Sequence, residues 1–194
     1  MEKLTASQLF SLEQYARRRD EFRMQVLEHK SRRRLAVGPN MSWCFEDRLT
    51  IQYQIQEMLR AEKVFEPAGI HEELDAYNPL IPDGSNWKAT LLLEFPDEAV
   101  RRAQLVHLRG VESRCWVQVA GFEQVYAIAD EDLPRENDEK TSAVHFLRFE
   151  LKPPMLAALK NHAALGAGCD HDYYRHAVVP VAERIRAALL DDFN

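Results

Sequence analysis

The sequence predicts an α+β fold in which a mainly antiparallel sheet of about five strands has helices packed on one face. Two observations lead to this prediction. Segments with alternating apolar residues, typical of strands, are interspersed with segments of helical periodicity. The strand candidates are apolar on one face and polar on the other, which is typical of antiparallel sheets. The 194 residues, 46% of them hydrophobic, are enough to fill one core, so we expect a single domain over residues 1–194.

The domain divides into three parts. Residues 1–34 form a basic segment with apolar residues at helical spacing, and nine Lys and Arg stand there against five Asp and Glu. Residues 35–151 contain the central helix and the sheet, and residues 152–194 contain the C-terminal helices. No apolar run approaches the roughly 18 residues that a membrane span needs.

Turn residues and helix breakers set the first boundaries. Gly38-Pro39-Asn40 separates two short strand candidates, residues 34–37 and 41–45. A helix over residues 47–66 follows, because no Gly or Pro occurs before Pro67.

The remaining elements follow from the same signals. Residues 78–86 form a loop rich in Pro and Asn, and residues 129–140 form an acidic loop. Pro96-Asp97 and Pro153-Pro154 each begin a helix. The expected strands are residues 87–95, 115–119, 125–128 and 143–151, and the expected helices are residues 71–77, 97–108, 153–161 and 181–190.

Alternation along three of these strands defines an inward and an outward face. Successive side chains of a strand point to opposite sides of the sheet, so one side is apolar and should meet the helices. The inward residues are Ala89, Leu91, Leu93 and Phe95, then Cys115, Val117 and Val119, then Ala143, His145, Leu147 and Phe149.

Basic residues are concentrated near the N-terminus, although the whole chain carries a formal charge of −6. The runs Arg17-Arg18-Arg19 and Arg32-Arg33-Arg34 could contact an acidic protein or another anionic partner. Nucleic acid is disfavoured as that partner, because the domain is acidic overall and no nucleic-acid-binding motif accompanies the arginines. The alternative interpretation is a solvated helix face and a strand edge.

Carboxylates on the central helix supply a candidate metal site. If the apolar stripe of that helix packs on the sheet, Glu57 or Glu62 would reach His145 on the buried strand face. Such a set could ligate iron, manganese or zinc, or hold a proton for acid–base chemistry. The alternative is that Glu57 pairs with Arg60 in solvent and that His145 is a hydrogen-bonded core residue.

A second cluster of potential ligands lies at residues 169–176, where a thiol, two carboxylates and two histidines occur together. If the segment is irregular, as the nearby glycines favour, His171 and His176 could bind a metal ion. Their spacing matches no established zinc motif. The alternative is a surface loop with a capping Asp and a packed Tyr.

The polar face of the sheet supplies a third candidate site. Lys88, Glu94, Arg148 and Glu150 could line a pocket for an anionic small molecule, with Arg148 as a bidentate clamp. A ladder of exposed cross-strand ion pairs is the alternative.

Absent motifs disfavour several classes of function. The sequence lacks the glycine-rich nucleotide-binding motifs, G-x-S-x-G and H-E-x-x-H, which argues against dinucleotide enzymes, P-loop NTPases and common hydrolases. Cys44, Cys115 and Cys169 are far apart in sequence and fit reduced thiols, not a disulfide framework or a zinc ribbon. No signal-peptide pattern begins the sequence, so we expect the cytoplasm.

Several long segments resemble a known family. They are FEDRLTIQYQIQEMLR at 45–60, ELDAYNPLIPDGSNWKATLLLEFPD at 73–97, VYAIADED at 125–132, EKTSAVHFLRFEL at 139–151 and DH at 170–171. Together they resemble the uncharacterised bacterial family called domain of unknown function 3501, over nearly the whole chain. The resemblance brings no assigned catalytic or binding residue. Members are often encoded beside a rubrerythrin-like protein and an iron–sulfur oxidoreductase subunit, which implies an accessory role in redox metabolism.

Three function hypotheses follow, and the sequence leaves open whether the chain is an enzyme. The first is a cytosolic accessory protein of a redox or oxidative-stress system, which binds a rubrerythrin-like or iron–sulfur oxidoreductase protein through its basic N-terminal segment or polar sheet face. The second is a small enzyme that depends on iron, manganese or zinc. The third is a sensor that binds an anionic small molecule on Lys88 and Arg148.

Overall fold

A computed structural model describes residues 2–131 and 139–193, and within them the chain forms six α-helices and nine strands. None of the helices in this part of the chain has the length and apolar character needed to cross a membrane. The helices are α1 (Leu12–Ser31), α2 (Arg48–Ala61), α3 (Pro67–Tyr77), α4 (Glu98–His107), α5 (Pro153–Lys160) and α6 (Glu183–Leu190). The strands are β1 (Arg34–Ala36), β2 (Met41–Phe45), β3 (Asn86–Leu93), β4 (Cys115–Val119), β5 (Val125–Tyr126), β6 (Ile128–Ala129), β7 (Val144–Glu150), β8 (Leu165–His171) and β9 (Tyr174–Val178).

The strands form two antiparallel sheets. The five-stranded sheet has the order β1-β2-β3-β7-β6, and the four-stranded sheet has the order β5-β4-β8-β9. This confirms the predicted α+β fold and its antiparallel strands. The prediction placed all strands in one sheet of about five, whereas the structure has a second sheet that contains β4 and β5. The middle of the predicted acidic loop, residues 132–138, lies outside the described residues.

The prediction of an irregular segment around residues 169–176 is wrong, because β8 and β9 form a regular hairpin there. The glycines of β8 serve close packing on the outer face of the sheet. A Cβ atom on Gly168 would lie 2.5 Å from the ring of Trp116, and one on Gly166 would lie 3.0 Å from Val179. Glycine in a strand often marks such a close approach of another group.

The main core contains the inward faces of both sheets. Leu91 of β3, Val117 of β4 and Phe149 of β7 are buried in one hydrophobic cluster, so the predicted inward faces are correct. The expectation that these faces meet helices is incomplete, since side chains of β8 join the same cluster. Helices α4, α5 and α6 contribute Leu105, Met155, Leu159, Ile185 and Leu189.

Helix α2 packs differently from the prediction. Its apolar stripe of Ile51, Ile55 and Leu59 joins a separate cluster with Leu4, Leu74 and Ile81 of the N-terminal segment, α3 and the loop after it. The helix ends at Ala61, not at residue 66 as predicted. The chain leaves the helix through Lys63, whose φ of 56° lies in the left-handed region.

Arg33, between α1 and β1, joins distant parts of the chain. Its side chain is 2% exposed. The guanidinium donates hydrogen bonds to the backbone oxygens of Phe45 and Glu46, which precede α2, and of Ala188 in α6. It also donates to Asp192 Oδ2 at 2.6 Å. These contacts satisfy a buried charge that would otherwise cost several kcal/mol.

Two further groups surround this cation. Asp47, the N-cap of α2, lies 3.4 Å from Arg33 Nε and also contacts His29 of α1. Burial raises the pKa of Asp192 to about 6, although Arg33 opposes that shift. The desolvation cost therefore exceeds the attraction at Asp192, and the ion pair serves mainly to satisfy charges that the fold has buried.

We expect Arg33→Ala to lower the free energy of unfolding by about 3–5 kcal/mol, because it leaves Asp192 buried without its partner. Urea unfolding followed by circular dichroism measures this. Arg102→Ala is the matched control, since Arg102 forms an exposed ion pair with Glu98 and should change stability by less than about 1 kcal/mol. Equal effects of the two substitutions would contradict the assigned role of Arg33.

Candidate functional site

Cys115 of β4 and Cys169 of β8 lie directly opposite each other in the four-stranded sheet. Both point into the core, where they are 0% and 2% exposed. Further along the same two strands, Ala120 N–H donates to the Ala164 oxygen at 2.9 Å. Since hydrogen-bonded and non-hydrogen-bonded pairs alternate in an antiparallel ladder, the two cysteines occupy a non-hydrogen-bonded position. Cα atoms at such positions are about 4.5 Å apart, within the range that a disulfide spans.

The two thiols are chemically different. Side-chain hydrogen bonding with Cys115 lowers the pKa of Cys169. Burial, together with the same hydrogen bond, raises the pKa of Cys115 well above its usual value. The carbonyl oxygen of Val111 lies 3.4 Å from Cys115 Sγ and 4.0 Å from Cys169 Sγ. Cys169 is therefore the sulfur that more readily becomes a thiolate.

A histidine extends this pair toward the sheet edge. His176 of β9 is the register partner of Cys169, so Cys115, Cys169 and His176 form a row across three strands on one face. The ring of His176 is exposed and lies 4.6 Å from the ring of Tyr174. The row thus runs from the core to the surface.

His145 of β7 is buried and extensively hydrogen-bonded. Its Nδ1 lies 2.6 Å from Asp130 Oδ2, and its Nε2 lies 2.9 Å from Thr141 Oγ1 and 3.0 Å from the Ser142 oxygen. Glu112 Oε2 lies 3.8 Å from the same Nδ1. These contacts use both ring nitrogens within the protein.

The structure does not bring the five predicted metal ligands together. Because α2 packs in its own cluster, its carboxylates do not reach His145. The contacts of His145 come from Asp130 just after β6, from Glu112 before β4 and from the segment before β7. No group of three or more His, Cys, Asp or Glu suited to a metal ion occurs in residues 2–131 and 139–193. The metal-dependent enzyme stays a prediction without support from these contacts. The five residues are Glu57, Glu62, His145, His171 and His176.

Glu57 instead connects α2 to α1. Arg19 donates to both of its carboxylate oxygens at 2.7 Å, and the Tyr15 hydroxyl donates to one of them at 2.6 Å. In the alternative interpretation the partner of Glu57 was Arg60, which acts on its pKa as a nearby charge, whereas Arg19 and Tyr15 donate the hydrogen bonds. Glu62 is exposed at the end of α2, and His171 contacts the Arg109 oxygen at 2.9 Å.

Three of the four predicted ligand-binding residues are neighbours. Lys88 and Arg148 are register partners on β3 and β7. Arg148 forms a bidentate contact with Glu131, which follows β6, at 2.8 Å and contacts Glu150 of its own strand at 2.6 Å. These are ion pairs, but they are not the cross-strand ladder of the alternative interpretation. Glu94 lies beyond the opposite end of β3, where Arg34 and Ser42 bind it.

The predicted arginine surface separates into different environments. Arg17, Arg18 and Arg32 are exposed, and Arg18 lies over the ring of Phe10. Arg19 and Arg34 are engaged by Glu57 and Glu94. Arg33 is buried, so we leave it out of any partner surface.

The cysteine pair is the feature that sequence reasoning missed. The alternation predicted that the Cys115 side chain faces inward, but no strand was predicted at β8, which carries Cys169. Leu165, Ala167 and Cys169 alternate with the two glycines, and this period of two was the available signal for β8.

Comparisons with known proteins place the chain beside uncharacterised relatives. The sequence model of the family described as "Protein of unknown function (DUF3501)" matches residues 3–193. A crystal structure of a novel protein of unknown function from Burkholderia pseudomallei K96243 is 49% identical, covers 100% of both chains and superposes with a TM-score of 0.95. No curated protein matches the chain.

We expect Glu57→Gln to weaken the fold in a pH-dependent way. The hydrogen bond from Arg19 is the main reason that the pKa of Glu57 falls from 4.5 to about 2. Since the folded-state pKa is the lower one, the stabilisation is present above about pH 4.5 and is lost as the pH falls toward 2. Allowing for partial exposure, we expect a loss of about 1–2 kcal/mol at pH 7.

Urea unfolding at pH 7 and pH 3 measures this difference. Glu98→Gln, which removes an exposed carboxylate on α4, is the matched control and should have little effect at either pH. If Glu57→Gln lowers the free energy of unfolding by the same amount at pH 7 and at pH 3, the assigned interaction is contradicted.

Proposed function

The chain belongs to the DUF3501 family of proteins of unknown function, and we propose that it is a cytosolic accessory protein of a redox or oxidative-stress system. In this proposal Cys115 and Cys169 form a reversible disulfide. The observation that carries it is the direct cross-strand pairing of two buried thiols at a non-hydrogen-bonded position. A disulfide can form there without a change of strand register.

Hydrogen peroxide is the oxidant that we assign to this pair. The Cys169 thiol first loses its proton, and the thiolate attacks one peroxide oxygen. The O–O bond breaks, Cys169 becomes a sulfenic acid, and the leaving hydroxide takes up the proton that Cys169 lost to give the first water. The Cys115 sulfur then attacks the Cys169 sulfur, gives up its proton and displaces the second water. In sum, two thiols and one hydrogen peroxide give one disulfide and two waters.

Burial supports a small oxidant over direct exchange with a partner protein. Thiol–disulfide exchange requires the attacking thiolate to contact a disulfide sulfur, and both sulfurs here are almost fully enclosed. A peroxide is small enough to enter when the edge strand β9 opens locally, beside the exposed His176. Reduction back to the thiols would use a small thiol by the same route.

We expect hydrogen peroxide to lower the number of free thiols by two per chain and the mass of the chain by two hydrogens. The peptides that contain Cys115 and Cys169 should then be joined by a disulfide. Mass spectrometry after alkylation under denaturing conditions, without reductant, measures this. Cys44→Ser is the matched control, because Cys44 is a half-buried cysteine of β2 that lies in the other sheet. It should leave the disulfide unchanged, whereas Cys115→Ser and Cys169→Ser should abolish it.

Two results would contradict this assignment. One is a disulfide that contains Cys44. The other is oxidation of Cys169 to sulfinic acid in the intact chain, since a paired Cys115 should intercept the sulfenic acid first.

A protein partner is the second part of the proposal, and α1 is the surface that we assign to it. Arg17 and Arg18 are exposed on this helix, and so are the large apolar side chains of Met24 (66% exposed) and Leu27 (48% exposed). Positive charge beside exposed apolar residues favours an acidic protein surface. The partner class, a rubrerythrin-like or iron–sulfur oxidoreductase protein, comes from the family resemblance.

We expect Arg17→Glu with Arg18→Glu to weaken binding of the purified rubrerythrin-like protein about tenfold or more at low salt, because like charges would then face each other. Calorimetric titration measures the affinity. Arg101→Glu with Arg102→Glu, an equal charge change on α4, is the matched control. If both double variants bind like the unchanged chain, the α1 surface is wrong.

A further inference from the structure

A cleft beside the outward face of β3 and β7 contains two lysines, Lys3 and Lys88, and Arg148. Its volume is about 480 Å³, and it is open to solvent. Its walls come from four separate parts of the chain: the N-terminal segment, the loop after α3, the strands β3 and β7, and the segment after β6. The lining residues are Lys3, Pro79, Ile81, Pro82, Asp83, Lys88, Glu131 and Arg148.

Lys88 is the central cation of this cleft. It is half-buried, and among residues 2–131 and 139–193 its ammonium group has one hydrogen-bond acceptor, the backbone oxygen of Pro79. Burial is the main reason that the pKa of Lys88 is lowered; Arg148 and Lys3 add to the effect, and the charges of Asp83 and Glu131 oppose it. A half-buried ammonium between two other cations is a favourable place for an anion.

The acidic residues of the cleft are already used. Glu131 accepts two hydrogen bonds from Arg148 at 2.8 Å. The Asp83 oxygens accept from Ser85 at 3.0 Å and from Asn86 at 2.8 Å. Neither carboxylate is hydrogen-bonded to Lys88, although both attract it as charges. The three cations of the lining outnumber its two carboxylates, so the cleft carries a net positive charge that favours an anion.

An apolar recess of about 80 Å³ adjoins the same two cations. Its polar lining residues are Lys88, Arg148 and Glu131, the last of which is held by Arg148. Its apolar lining residues are Pro79, Leu80, Phe146 and Leu147. A ligand there would place a short hydrocarbon portion against apolar side chains and its charge toward the ammonium groups.

We infer that this cleft binds a small carboxylate with a short apolar body, whose carboxylate contacts Lys88 and Lys3 and whose hydrocarbon portion enters the recess beside Phe146. The inference is independent of the cysteine pair, which lies in the other sheet and points into the core. An inorganic oxyanion would use only half of this site, since it has no apolar portion to fill the recess.

Thermal unfolding of the full chain at constant ionic strength tests the inference, with acetate, butyrate and inorganic phosphate as probes. We expect butyrate to raise the melting temperature more than acetate or phosphate does. Calorimetric titration of butyrate should then give an affinity about tenfold or more weaker for Lys88→Met, which keeps the aliphatic stem and removes one charge-assisted hydrogen bond. Lys152→Met is the matched control, because Lys152 is exposed and lies outside the cleft. This variant should bind butyrate like the unchanged chain.

Lys3→Met is a second variant in case Lys88→Met does not fold, because Lys3 is exposed and its loss leaves the core intact. It should also weaken butyrate binding. Equal binding by Lys3→Met, Lys88→Met and Lys152→Met would overturn the inference. So would a shift with phosphate alone, or no shift with any of the three anions.

Discussion

The buried cation of Arg33 is the constraint on which the arrangement of the helices and the five-stranded sheet depends. A guanidinium without partners in a protein interior is costly, so every element that supplies an acceptor must reach its place before the fold is stable. Those acceptors come from the end of β2, from α6 and from Asp192 near the C-terminus. The indole of Trp87 adds a bond from β3 to the Leu189 oxygen of α6. The C-terminal helix is thereby fixed against the strands.

This constraint also bears on the cysteine pair. Because α6 and the strands of both sheets share one core, the four-stranded sheet is held by the same packing that encloses Cys115 and Cys169. Their cross-strand position sets the distance between the thiols, and the low polarity around them makes Cys115 a proton donor and not a thiolate. The cleft at Lys88 lies on the opposite, polar face of the five-stranded sheet. The proposed oxidation in the core and the proposed anion site at the surface are therefore structurally separate.

Period-two patterns were enough to predict most strands, because a strand with one buried face must alternate. They placed His145 and Cys115 inward correctly. The same rule failed at β8, where Gly166 and Gly168 resembled loop residues although they make room for Val179 and Trp116. The alternation rule could also have predicted that Arg33 is buried, because Arg33 is in phase with the buried Leu35 and Val37. A run of three arginines conceals such a pattern, since composition alone suggests a solvated surface.

Tertiary partners lay beyond what local patterns can determine. The contact of Glu57 with Arg19 joins residues of two helices that are 38 positions apart in sequence, and no periodicity favours Arg19 over Arg60 as the partner.

The central claim, a two-electron site at Cys115 and Cys169, is tested most directly by equilibrating the chain in glutathione redox buffers and counting free thiols. We expect one two-electron transition, with a slope of about 30 mV per tenfold change, in the unchanged chain and in Cys44→Ser. A chain whose thiol count stays constant across the series, or whose transition survives Cys115→Ser, would contradict the account.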